Sequence, residues 1–194
     1  MKIYKIFPTT ITEFNYEICK EEKSIIYDEI KFRSLNDVPP KQTTDKLHHM
    51  IPQFAKHILE VSNNILTEIY RYRYSNIEIT SMWANKLLKG ETHAPHTHSN
   101  NILSGVFYLK SGSPIQFYDP RPQAHVFHPY PVENNYENAG LFQFESDESW
   151  GFIFPSWLQH WVPPSTSDER ISISWNILLR GEYGEPGSLQ NAKI

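Results

Sequence analysis

Beyond Tyr74 the chain becomes a series of short runs in which β-branched and aromatic residues sit between turn residues: "IEITSMWANKLL", "NILSGVFYLK", "PIQFYDP", "GLFQFE", "WGFIFPS" and "RISISWNILLR". Such runs suit the pleated surface of strands, and the intervening Pro, Gly, Asn and Ser supply turns. At least six short strands with no helical pattern among them point to an antiparallel sandwich or jelly roll. The first half reads differently. After a short strand expected at Ile3 to Phe7, "NYEICKEEKSIIYDEIKF" puts Ile18, Ile25, Ile26 and Ile30 on one helical face. A second, longer helix is expected from Leu47 to Ile69, with Ile51, Phe54, Ile58, Val61, Ile65, Leu66 and Ile69 as its apolar stripe. "SLNDVPPKQTTD" between them reads as a loop, because consecutive prolines remove backbone donors and disfavour helix before them.

The expected fold class is therefore α+β, mainly β. It is one domain over 1–194: helical support over 1–74 packed on one sheet of a jelly-roll core over 75–180, then a tail over 181–194 expected to fray. The long segment "RPQAHVFHPYPVENNYENAG" is too polar and proline-interrupted for regular structure and reads as a functional loop.

A formal charge of only −4, with no Lys/Arg-rich run, gives no electrostatic footprint for nucleic acid. The single cysteine, Cys19, can form no intramolecular disulfide, and "MKIYKIFPTTITEF" lacks the apolar core and cleavage site of a secretion signal. Both favour a reducing, cytoplasmic setting. No stretch approaches the roughly 20 apolar residues a membrane helix requires. Nucleotide-binding motifs are absent from the sequence, and no Ser/His/Asp or paired-carboxylate arrangement stands out.

Chemistry is concentrated in two segments. "THAPHTHSNN" carries His93, His96 and His98, and in a strand the H-x-H pair would project two imidazoles to the same side, in reach of one cation. About sixty positions on, "FPSWLQHWVPPSTSDERISISWNI" places His160 after an apolar run, Arg170 at the head of a strand and Ser172 on the same strand face. A jelly roll brings distant strands together, so His160 can complete a three-ligand site while Arg170 sits deeper. Arg suits a bidentate grip on a carboxylate, and Ser172 can add a hydroxyl donor. The alternative for Arg170 is a structural ion pair with Asp119, Asp168 or Glu169. Trp157, Trp161 and Trp175, flanking these residues, read as core packing, and the proline pairs at Pro39 and Pro163 as rigid turns.

The runs "HTHSNNILSGVFYLK", "PIQFYDPRP" and "FPSWLQHWVPPSTSDERISISWN", spanning roughly Trp83 to Asn176, resemble the Fe(II)/2-oxoglutarate-dependent oxygenases of the short family found in bacteria and marine bacteriophages. More distantly the chain is similar to the prolyl hydroxylases. The resemblance implies a double-stranded β-helix with Fe(II) and 2-oxoglutarate as cofactor and cosubstrate. It further implies a dioxygenase that hydroxylates a small-molecule or peptide substrate while 2-oxoglutarate is decarboxylated to succinate. His96 then matches the first metal ligand, His98 the place of the usual carboxylate, and His160 the distal ligand. Arg170 and Ser172 match the R-x-S pattern that holds the far carboxylate of the cosubstrate, with Tyr108 and Asn85 as further cosubstrate contacts. No catalytic residue beyond the metal ligands is implied.

The departure is His98, because the usual set is two histidines and one carboxylate. Asp119, at the end of "FYD", is the alternative carboxylate. His93 is expected behind the ligands or exposed, and His125 and His128 in the long loop face water or substrate. Two other readings remain: a cupin, from the Gly90-to-His98 spacing, and a noncatalytic jelly roll braced by a metal. A homodimer through an edge strand or the N-terminal helices is compatible with the chain.

Overall fold

A computed structural model describes residues 1–35, 41–121, 126–127 and 129–194. Pro39, His125 and His128 lie outside the described residues.

All six expected strand runs form strands: β2 (Asn76–Leu88), β4 (Leu103–Lys110), β5 (Ile115–Tyr118), β6 (Leu141–Phe144), β7 (Trp150–Pro155) and β9 (Glu169–Arg180). They are joined by β1 (Thr12–Asn15), β3 (His93–His96) and β8 (His160–Val162). These build two sheets, a larger one in the order β1-β7-β4-β9-β2 and a smaller one in the order β3-β8-β5-β6. Every pairing within them is antiparallel.

The strand β9 shows why the sheets lie face to face. Its alternation sends Ile171, Ile173, Trp175, Ile177 and Leu179 to one side, where they join the helix-side core. Arg170, Ser172, Ser174 and Asn176 point the other way, yet Arg170, Ser172 and Asn176 are buried as well. An alternating strand ordinarily gives its polar side to water. Here that side lines the space between the sheets. β4 behaves alike: Leu103, Phe107 and Leu109 face the helices, while Val106 and Tyr108 join an inner cluster with Ile115, Phe117, Phe152, Phe154 and Leu158.

The helices cover the outer face of the larger sheet. α1 (Lys20–Leu35) buries Ile26 and Ile30, and α2 (Pro52–Asn64) sets Phe54 against Phe107 and Trp175, with ring centroids 5.0 and 5.8 Å away. Fully burying a side chain of this kind contributes roughly 1.5–3 kcal/mol. Glu22 of α1 joins the helices. Its carboxylate accepts from the free N–H groups of Gln53 (2.7 Å) and Phe54 (3.1 Å) in the first turn of α2.

Three expectations are corrected. Ile3 to Phe7 is not a strand; Ile3, Tyr4, Ile6 and Phe7 are exposed, and the edge of β7 is taken by β1 instead. The cause is shape: Phe14 lies opposite Gly151, where a Cβ would fall 2.6 Å from the Phe14 ring. The single helix from Leu47 to Ile69 is three pieces, a 3-10 turn (Leu47–His49), α2 and a wider π turn (Ile65–Ile69). Pro52 starts α2 afresh, and in the π turn the Tyr70 N–H donates to Ile65 O at 3.1 Å. The extra residue in that turn rotates the stripe, so Ile69 is 53% exposed and Tyr70 packs against the core in its place. The tail does not fray: β10 (Glu182–Tyr183) pairs with β11 (Ala192–Lys193). Among the described residues no helix is long and apolar enough to cross a membrane.

Candidate active site

β3 and β8 pair so that His96 stands directly opposite His160. His98 lies two residues past the end of β3, not on the strand as the H-x-H alternation predicts. It is held instead by its backbone N–H, which donates to Ser156 O at 2.9 Å. The three rings nonetheless converge: ring centroids are 4.4 Å apart for His96 and His160, 5.1 Å for His96 and His98, and 5.2 Å for His98 and His160. One nitrogen from each lies within 4.8 Å of the others.

The backbone decides which nitrogen is free. His96 Nδ1 faces Ala94 O at 2.7 Å and His160 Nδ1 faces Leu158 O at 2.9 Å, so each carbonyl accepts a hydrogen bond from Nδ1–H and the Nε2 lone pair is left free. His98 Nε2 comes to 3.3 Å from His160 Nε2, a spacing that calls for a proton or a cation between them. Burial, with repulsion from His96 second, lowers His98 to about 4. Burial likewise dominates at His160, lowering it to about 3 despite its bond to Leu158 O. Both imidazoles are uncharged at neutral pH, the form a metal requires. Three imidazoles fit a divalent transition metal such as Fe(II). Asp119 is not in this group; it pairs with Arg121 at 2.8 Å.

A cavity of about 410 Å³ runs inward from the imidazoles between the sheets. That volume falls in the range of small-molecule sites. Asn85, Arg170, Ser172 and Ser174 are on its wall. Arg170 is 1% exposed. Its Nε donates to Ser113 O (3.0 Å) and its Nη1 to Ser172 Oγ (3.1 Å), while Nη2 is buried without a hydrogen bond of good geometry, and only the neighbouring Tyr108 hydroxyl favours the charged guanidinium. The acids weighed as its structural partners are engaged elsewhere or make no pair with it: Glu169 binds Lys86 (2.6 Å) and Lys110 (2.8 Å), and among the described residues no carboxylate pairs with Arg170. A buried guanidinium left short of a partner is costly, so the cavity fits an anion at Nη2.

Asn85, Ser172 and Tyr108 stand side by side across β2, β9 and β4. Asn85 is fixed by Gln42, whose Nε2 donates to its Oδ1 at 2.7 Å. Tyr108 is wholly buried and lies behind Arg170, not on the cavity wall; the guanidinium carbon is 5.0 Å from its ring centroid. Burial pushes its phenol up to about 12.

Trp83, His93 and Gln42 are among the lining residues that the sequence missed or misplaced. Trp83 lies 6.1 Å from His98, ring to ring, and its spacing of two from Asn85 was the available signal. His93, expected behind the ligands or exposed, lines the cavity, and burial followed by repulsion from Arg170 lowers it to about 4. Gln42 arrives from a loop that bridges to β2, for which the sequence has no signal. Of the tryptophans assigned to packing, Trp175 is fully buried but Trp157 is 55% exposed.

A family model described as "Putative 2OG-Fe(II) oxygenase" matches residues 81–176, the segment that carries the three histidines and the arginine. The segment that carries the site belongs to the 2OG-Fe(II) oxygenases. This oxygenase is an oxidoreductase whose cofactor and cosubstrate are those of its family, Fe(II) and 2-oxoglutarate. Solved structures share its double-stranded β-helix fold. The alpha-ketoglutarate-dependent epimerase SnoN from nogalamycin biosynthesis superposes with a TM-score of 0.59 at 12% identity, over 93% of this chain and 83% of its own. A viral collagen prolyl hydroxylase from Paramecium Bursaria Chlorella virus-1 gives 0.58 at 12%, over 91% and 97%. A Pseudomonas putida prolyl-4-hydroxylase gives 0.56 at 12%, over 89% of each chain. No curated protein sequence matches the oxygenase.

Proposed function

We propose that His96, His98 and His160 hold the iron through their Nε2 atoms, and that Arg170, with Ser172, takes the far carboxylate of 2-oxoglutarate. The oxygenase would then hydroxylate a small-molecule or peptide substrate. The observation that carries this reading is the buried Nη2 of Arg170, short of a partner, on a cavity that begins at three converging imidazoles. A cupin reading leaves that arginine without a task.

Bound there, iron and 2-oxoglutarate supply oxidation of a substrate C–H bond, one oxygen atom of dioxygen going to the product alcohol and the other to succinate as carbon dioxide leaves. The chain itself binds and orients. Ala94 O and Leu158 O hold two imidazoles in the tautomer that donates from Nε2. Ser113 O and Ser172 Oγ fix the guanidinium plane, and Tyr108 backs it. Asn85, steadied by Gln42, adds a polar contact from β2. The inner apolar cluster around Phe154 keeps water from the deep end. A cytoplasmic location belongs to the same proposal, supported by the lone, free Cys19.

The test is anaerobic. Fe(II)-loaded protein is expected to develop a weak visible charge-transfer band on adding 2-oxoglutarate. Arg170→Gln should weaken 2-oxoglutarate binding by about 10–100-fold, the loss of a charge-assisted contact worth roughly 1.5–3 kcal/mol, with metal affinity unchanged. Equal 2-oxoglutarate affinity in the wild type and Arg170→Gln would sink the assignment.

A further inference from the structure

His96 and His160 are placed by strand pairing, each opposite the other. His98 has no such ladder. It sits in a turn beyond β3, followed by Asn100 in the left-handed region at φ 61°. What holds it is polar and buried. The His98 N–H donates to Ser156 O (2.9 Å), and Ser156 N–H closes back on Ile102 O (3.1 Å). Ser156 Oγ lies 2.8 Å from Ser104 Oγ, Ser104 Oγ donates to Asn176 Oδ1 (2.8 Å), and Asn176 Nδ2 donates to Ser81 Oγ (2.9 Å).

The direction of this chain is fixed. Asn176 spends its amide on Ser81, so its carbonyl oxygen must accept the single Ser104 proton. The Ser156 hydroxyl therefore donates to Ser104. Ser104 and Ser156 are fully buried and Asn176 nearly so, while the next inward positions on the same sheet are Val106, Tyr108, Phe152 and Phe154. A polar chain there costs desolvation unless every member is satisfied, as these are. On the far side of the turn, Asn101 Nδ2 donates to Ser99 O (2.8 Å) and its Oδ1 accepts from Thr80 Oγ1 (2.8 Å).

We infer that Ser104, Ser156 and Asn176 are positioning residues for His98, a relay anchored in the larger sheet that sets the imidazole at 3.3 Å from His160 and so selects three nitrogen donors over two. This rests on His98 being a metal ligand. Ser104→Ala cuts the link between Ser156 and Asn176; Ser104→Thr keeps a hydroxyl there.

In Co(II) titrations of the full chain, Ser104→Ala is expected to weaken affinity about tenfold, the scale of losses from orienting partners of metal ligands. Ser104→Thr should restore it. In a His98→Ala background Ser104→Ala should cost nothing further, because the relay acts only through His98. In metal-free protein the imidazole nitrogen resonances of His98 should move in Ser104→Ala and those of His160 should not. A tenfold loss that persists without His98, or His98 resonances that stay in place, overturns the relay. Absence of Co(II) binding by the wild-type chain would instead count against the metal reading, and the metal-free resonances then decide the relay alone.

Discussion

At the scale of single residues, His98 carries the sharpest consequence. Replacing it with Ala leaves two imidazoles, and Fe(II) affinity should fall by on the order of 100-fold, whereas His98→Asp should recover most of it by supplying a negative ligand to a cation. Anaerobic Fe(II) titration reads both; unchanged affinity in His98→Ala would take the residue out of the ligand set. The same histidines set a pH dependence. Burial holds His93, His98 and His160 down at about 4, 4 and 3 in the fold, below the ordinary imidazole value of 6.5. Their folded pKa values are depressed, so between pH 6.5 and about 4 the unfolded chain binds protons that the folded one refuses. Stability of the metal-free protein therefore holds above pH 6.5 and drains away as pH falls through that window. Urea midpoints at pH 7, 6 and 5 should descend in order, and a flat series would contradict the burial of these rings. Sequence made the residue types and the spacing of the histidines and of R-x-S legible. It was silent on His93 lining the cavity and on Tyr108 lying behind it, because both depend on which strand stands next to which.

At the scale of elements, the six strand runs were readable because alternation and β-rich composition reinforce one another. The helices were readable as an apolar stripe but not as three pieces, since the π turn is a local hydrogen-bond choice made by packing. The edge strand was misplaced for a similar reason: "KIYKIF" has the composition of a strand but stays exposed, whereas Phe14 fits over Gly151. Close fits of this kind can be tested. A Cβ at Gly105 would come within 2.2 Å of the Trp175 ring and 2.9 Å of Phe152 O, contacts that neither a buried indole nor a sheet backbone can relax. Gly105→Ala should destabilise the fold by about 1–3 kcal/mol or more, read as a lower denaturation midpoint with an unchanged m-value.

At the scale of the whole molecule, the site exists only where the smaller sheet, carrying His96 and His160, closes over the larger one, carrying Arg170. Ligands that bridge the two should therefore stabilise the fold as a unit. At one hundred times its dissociation constant a ligand adds about 2.7 kcal/mol, which for a chain of this size raises Tm by about 5–10 °C. Fe(II) alone should give one increment and 2-oxoglutarate a second only when metal is present. A thermal-shift series without that second increment would favour a metal that merely braces the loops. By itself the sequence determined the six core strands, the helical stripe and the chemical types at the site, because these follow from periodicity and side-chain chemistry along the chain. Only the tertiary structure decided that the polar face of β9 turns inward, that Arg170 keeps one buried nitrogen short of a partner and that His98 hangs from Ser156 rather than from a strand. Burial and unmet hydrogen bonds arise between segments far apart in sequence, and no local pattern encodes them.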